Sequence, residues 1–316
     1  MKTHLTPLQL FLLTFLYVFS GITLCGADSL LSLLLPIVLT SLWAVIGYRG
    51  AEKRRTGMTD FLSAYLPERE TSIPLAFFLF TSAAETVVTL LEAGAALWGK
   101  TDFIPFSLVL FALLGIASLA AWKGTTVLGR FAEMTLFLLV PFAVLCLFGD
   151  FRPIAAVGMA SDLRLAFSVM PAPVIFLLSV TAVSGDEGTT EGFRATGGFP
   201  ENRAGFLVKT VITASFAAAF FRALLLTLPL KENNLLVYFS EYAAHVTKLS
   251  LLVLILARGF PNKKKSTVAY VIPMVVSAVF TLAVIGGAVF SPFLWILLLV
   301  ALNATVCGML FVFALR

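Results

Sequence analysis

The chain has 316 residues, 59% of them hydrophobic and only 12% charged, where soluble domains run at about 25% charged. That balance excludes a soluble globular domain and makes a lipid bilayer the expected solvent. The net charge of +5 comes from basic residues clustered between apolar runs, so it signals membrane topology and not nucleic-acid binding.

Divided at its polar clusters, the sequence gives ten apolar spans: 8–25, 29–48, 73–98, 103–121, 127–149, 165–184, 204–228, 235–259, 266–289 and 292–315. Most reach the roughly 17–25 residues that a membrane helix needs. Their apolar runs are continuous, unlike the alternating strands of a β-barrel. The expected fold is an all-α integral membrane protein, one polytopic domain over residues 1–316 with ten transmembrane helices. Lys and Arg set the orientation. With the N-terminus inside, only Lys100, Arg152, Arg164 and Lys231 fall in outer loops, and most of the others lie on the cytoplasmic side. An even number of spans then places both termini in the cytoplasm.

Span 1 contains Ser20-Gly21 and ends at Cys25-Gly26-Ala27-Asp28, which predicts an interrupted helix. Its bulky Ile22 and Leu24 do not suit a cleavage site before Cys25. Cys25, Cys146 and Cys307 have no disulfide or metal spacing. Span 3 carries Glu85 and Glu92, whose i, i+7 spacing puts both carboxylates on one face. Each charge in hydrocarbon costs ~2.5–3.5 kcal/mol on insertion scales, so such a face is expected to line a cavity or meet a partner. Arg130 and Glu133, i and i+3 at the start of span 5, are expected to form a structural ion pair.

Span 6 opens with Met170-Pro171-Ala172-Pro173, and proline both removes helix donors and clashes with the preceding turn. Interrupted spans at corresponding positions of two halves point to a 5+5 inverted repeat and a midplane binding site. Span 8 adds Glu241, His245 and Lys248 as one i, i+4, i+7 stripe. It is the counterpart of span 3, and matching depths predict that Glu85 approaches Lys248. Arg222 on span 7 is expected to meet Glu92 or Glu241 at a shallower level. Together Glu85, Glu92, Arg222, Glu241, His245 and Lys248 form the expected charge network.

A small zwitterion suits two broken helices, because free N–H groups at a helix N-terminus attract a carboxylate and Glu85 attracts an amine. The expected ligand positions are Ser20, Gly21, Thr23, Glu85, Ala172, Val174 and Ser179. Neither His4 nor His245 has partners at metal-ligand spacing, and no cofactor is expected. With no nucleophile–base set either, the chain does not read as an enzyme.

Three segments carry a resemblance. Leu5-Thr6-Pro7-Leu8-Gln9-Leu10-Phe11, Gly26-Ala27-Asp28 and Gly124-Thr125-Thr126-Val127-Leu128-Gly129-Arg130-Phe131-Ala132-Glu133 resemble motifs of the spore-germination permease family. These are the membrane B subunits of spore nutrient-germinant receptors, within the amino acid–polyamine–organocation superfamily. The resemblance implies a spore inner-membrane subunit that binds a nutrient such as an amino acid. It also implies A-type and lipoprotein C-type partner subunits that receive the signal. The alternative is a secondary active transporter of an amino acid or cation, coupled to protons through Glu85 or Glu92.

Overall fold

Thr6 sets the start of the first helix. Its hydroxyl accepts a hydrogen bond from the Gln9 N–H at 3.2 Å, while Gln9 Oε1 accepts one from the Thr6 N–H at 3.1 Å. This reciprocal cap satisfies donors that a helix start would otherwise leave free. Pro7 follows at the first helical position, where its missing N–H costs nothing. Helix α1 then runs over Pro7–Leu24.

The computed structural model describes residues 5–24, 33–34, 37–38, 40–42, 44–45, 72–98, 105–146, 203–227 and 235–258. Beyond α1 it contains α2 (Ser72–Trp98), α3 (Phe106–Lys123), α4 (Thr125–Cys146), α5 (Arg203–Thr227) and α6 (Leu235–Arg258). Residues 33–45 are helical wherever they are described, and no strand occurs among the described residues. Each long helix coincides with an apolar run of the sequence. Helix closes the backbone hydrogen bonds within each segment, as an apolar surrounding demands. The expected spans 165–184, 266–289 and 292–315 lie outside the described residues.

Of the interruption expected in span 1, Ser20-Gly21 lies within continuous helix, and Cys25-Gly26-Ala27-Asp28 lies outside the described residues. The chain stays helical through both residues to Leu24. A single glycine costs an interior turn only about 1 kcal/mol, and both residues are buried in contacts that hold the helix together.

Between α3 and α4 the chain turns through 118°. Gly124 makes this possible by adopting φ 89°, a backbone conformation that a Cβ would strain. Its N–H donates to the Ala121 carbonyl at 3.0 Å, and its own carbonyl accepts from Val127 and Leu128 at 3.2 Å. The two helix ends are therefore satisfied within one residue. Among the described residues, Val208–Leu225 is long and apolar enough to cross a membrane by itself, and the bent pair Leu108–Lys123 and Thr125–Phe137 meets the same test jointly.

Helices α1 and α6 form the centre. α1 packs against α5, α6, α4 and α2, and α6 packs against α3, α1, α2 and α4. Phe11, Phe15 and Phe19 stack along α1 at i, i+4 spacing, with ring centroids 6.5 and 5.9 Å apart. Phe221 of α5 meets Phe15 and Phe19 edge-on at 6.0 and 5.3 Å, the favourable geometry for aromatic quadrupoles.

On the other side, Gly129 lets α4 approach α1 closely. A Cβ there would lie 2.8 Å from Gln9 Cδ, pushing into the side chain that caps α1. Gly129→Val should thus destabilise the protein by roughly 1–3 kcal/mol through overpacking. Removing the obstructing side chain with Gln9→Ala in the same chain should restore part of the loss. Thermal unfolding of the purified variants checks both, and an unchanged midpoint for Gly129→Val would exclude the close contact.

Candidate functional site

Tyr17 and Ser20 lie one turn apart on α1, and His245 and Lys248 one turn apart on α6. Glu85 faces them from α2. All five side chains are buried; Lys248 is 0% exposed and Glu85 3%. The Tyr17 hydroxyl donates to Glu85 Oε1 at 2.5 Å. Lys248 Nζ stands 3.7 Å from the same oxygen and 5.4 Å from the centroid of the Tyr17 ring. Ser20 Oγ and His245 Nδ1 share a hydrogen bond of 2.9 Å. Three helices thus deliver two neighbouring buried polar groups, Tyr17–Glu85–Lys248 and Ser20–His245, into an apolar centre.

The physical reason is compensation. A carboxylate and an ammonium each lose several kcal/mol of hydration on burial, and they persist when paired and hydrogen-bonded. Glu85 Oε1 takes both the ammonium and the phenol, while the face of the Tyr17 ring gives the cation a second favourable surface. Glu85 Oε2 is buried with no hydrogen-bond partner among the described residues. Thr14 Oγ1, one turn before Tyr17, is likewise buried without one. Unsatisfied buried oxygens of this kind call for a donor.

The expected charge network is assembled in two tiers. Glu85 and Lys248 meet as the matching depths suggest. Two turns toward the start of α6, Arg222 of α5 reaches Glu241 at 3.8 Å, and this pair is more accessible than the first. Glu92, on the same face of α2 as Glu85, is half-buried. His245, buried one turn from Lys248 on α6, bonds to Ser20 instead. No ion pair joins Arg130 to Glu133 among the described residues. Arg130 is exposed on α4 and Glu133 half-buried, and holding two long exposed side chains together gains little.

Of the expected ligand positions, Ser20 and Glu85 belong to the cluster, and Gly21 is buried beside Ser20 on α1. Thr23 does not belong to it. Its hydroxyl turns back to the Phe19 carbonyl at 2.8 Å, a common bond for a mid-helix threonine. Ala172, Val174 and Ser179 lie outside the described residues. Tyr17 escaped the sequence reading. Its i−3 spacing from Ser20 was the available signal, but a tyrosine within an apolar run resembles ordinary packing.

No family profile matches the sequence, and no curated protein matches it. Solved structures do. The fold is similar to that of Mhp1, a nucleobase-cation-symport-1 family transporter, in a closed conformation with bromovinylhydantoin bound. The TM-score is 0.59 at 13% identity, covering 98% of this chain and 78% of that one. A mutant of the Eremococcus coleocola manganese transporter is similar at TM-score 0.52 and 12% identity, over 98% and 75% of the two chains. The same transporter bound to an aromatic bis-isothiourea compound gives 0.51 and 13% over the same shares. The chain therefore has a transporter-type helical fold.

Lys248→Met leaves the Glu85 charge buried without its ammonium, and should destabilise the protein by roughly 3–5 kcal/mol. Pairing it with Glu85→Gln should recover most of that loss. Thermal unfolding in detergent measures both; a double variant no more stable than the single would mean that the two charges are not coupled.

Proposed function

We propose that this chain is an integral membrane protein that binds a small zwitterionic solute, such as an amino acid, where α1, α2 and α6 meet, and carries it across the bilayer. The observation that supports this most directly is the half-satisfied Glu85 carboxylate. One oxygen is held by Tyr17 and Lys248, and the other is buried with no hydrogen-bond partner among the described residues. An incoming ammonium group suits Glu85 Oε2, and an incoming carboxylate suits Lys248. A zwitterion can separate the internal pair by offering each partner its opposite charge, so that no uncompensated charge is left in the protein interior.

The transporter-type fold supports the same reading. The neighbouring Mhp1 is a nucleobase-cation-symport-1 family transporter with bromovinylhydantoin bound, and many secondary transporters hold substrates at the midplane between repeat halves. The 5+5 inverted repeat belongs to this proposal, as does a cytoplasmic location for both termini. Glu85, the membrane carboxylate closest to the bound solute, is the group through which proton coupling would run.

A second reading is favoured by a specific contact. Two of the three segments that resemble the germinant-receptor B subunits meet in the structure, because Gln9 of one lies directly against Gly129 of the other. Gly124 of the same segment occupies the one positive-φ turn among the described glycines. The motif residues thus have structural jobs at the α1–α4 contact and the α3–α4 turn, and by resemblance the chain would be a ligand-sensing subunit in a spore inner membrane that signals to A-type and lipoprotein C-type partners.

Uptake of radiolabelled amino acids into proteoliposomes containing the purified chain separates the readings. Transport predicts concentrative uptake that falls at least tenfold in Glu85→Gln. Saturable binding without any uptake, lost in the same variant, would instead establish the sensor.

A further inference from the structure

Outside the polar cluster, α3, α4 and α6 enclose an apolar groove of about 680 Å³. Ile116 and Ala120 of α3, Val127 and Phe131 of α4, and Tyr242 and Val246 of α6 are among its walls. Its volume falls within the range of small-molecule sites, but its chemistry is unlike the cluster's. The Thr135 hydroxyl in its wall is spent on the Phe131 carbonyl at 2.9 Å, and no charged residue lines it among the described residues.

Two basic residues continue the helical stripes that line the groove. On α3, Ile116, Ala120 and Lys123 follow i, i+4, i+7 spacing, so the lysine ends the stripe that lines the groove. On α4, Val127, Arg130, Met134 and Phe137 follow i, i+3, i+7, i+10, and all except Arg130 are wall residues. Lys123 and Arg130 are both exposed, and they stand on either side of the Gly124 turn. Trp122, 69% exposed beside them, is the residue type that membrane interfaces favour. A hydrocarbon slot flanked by two exposed cations, with an exposed tryptophan next in sequence to one of them, matches one kind of molecule.

We propose that this groove is a binding site for an anionic phospholipid of the surrounding membrane. One acyl chain lies between α3, α4 and α6, and the headgroup phosphate sits at Lys123 and Arg130. The 118° turn at Gly124 splays the two helices, with Lys123 just before it on α3 and Arg130 in the second turn of α4. The site rests on the membrane reading proposed above, but it is independent of what Glu85 binds. Its occupant is set by chemistry: a neutral apolar solute leaves the two cations unused, and a soluble anion leaves the hydrocarbon walls unfilled.

The test uses the full-length protein purified from membranes and placed in nanodiscs of phosphatidylcholine with graded phosphatidylglycerol. Lipid retained by the protein is measured by native mass spectrometry. Wild-type protein should retain phosphatidylglycerol in preference to phosphatidylcholine. In K123Q/R130Q that preference should fall roughly 30-fold, or about fivefold for each basic residue near the surface. A second variant, Ala243→Leu, narrows the groove from α6 without touching a charge, and should reduce retention of both lipids.

Equal retention of phosphatidylglycerol by wild type and K123Q/R130Q would overturn the proposal. So would occupation of this face by a second copy of the chain, seen as a dimer that excludes lipid. Recovery of the protein outside the membrane fraction would overturn the membrane reading instead, and fractionation reveals that before any lipid is measured. Loss of amino acid uptake with lipid retention intact would leave this site standing and count only against the function proposed for Glu85.

Discussion

A fully buried lysine has to be answered by something, and in this chain the answer comes from three helices. Lys248 can be placed on α6 only if Glu85 of α2 and Tyr17 of α1 arrive opposite it. The pair is weak evidence for stability, since apolar residues of the same volume could fill the space as well or better. It does restrict which arrangement of helices is allowed. A rotation of α2 by one residue, about 100°, would carry Glu85 out of reach and leave two buried charges unpaired. The charges therefore set helix register, while the apolar surfaces around them supply contact in any register.

The rest of the bundle follows from that register. α1 is held from two further sides, by the Phe15–Phe221–Phe19 contact with α5 and by the Gln9–Gly129 approach of α4. Its capped start ties the second of these to the backbone. One residue, Gln9, both closes the cap of α1 and forms the surface against which α4 rests. That double use explains why a glycine is needed across from it, where any side chain would have to displace the cap.

Much of this could be read from residues alone. The helix extents follow apolar runs, because continuous hydrophobicity ends where polar clusters begin. The Glu85–Lys248 approach could be inferred because charges in hydrocarbon are too costly to leave alone, and helical spacing gave each a depth. Features set by local geometry were harder to see. The phenol of Tyr17 is invisible in hydropathy. The hydroxyl of Thr23 could have pointed to a ligand, yet i−4 carbonyls always compete for it. Ser20-Gly21 looked like a break, but buried contacts on both sides hold a helix through a single glycine. Thr6-Pro7-Leu8-Gln9 was legible as a family pattern before it was legible as a helix cap, although its spacing already carried that signal.

Helix α6 joins the two sites. Glu241, His245 and Lys248 form one stripe, while Tyr242, Ala243 and Val246 sit around 100–200° away on the helix wheel and form a groove wall. The same three turns thus carry charge toward α1 and α2 and an apolar face toward α3 and α4. Anything that fills or empties the groove presses on the back of the helix that positions Lys248. The helix is nearly rigid over three turns, so a displacement at Val246 is transmitted to its neighbours at 245 and 248 with little loss. A charge pair tolerates such shifts poorly, because its compensation depends on separations of a few ångströms in a medium that screens weakly. The apolar groove and the polar cluster therefore share one helix, with different faces of α6 committed to each.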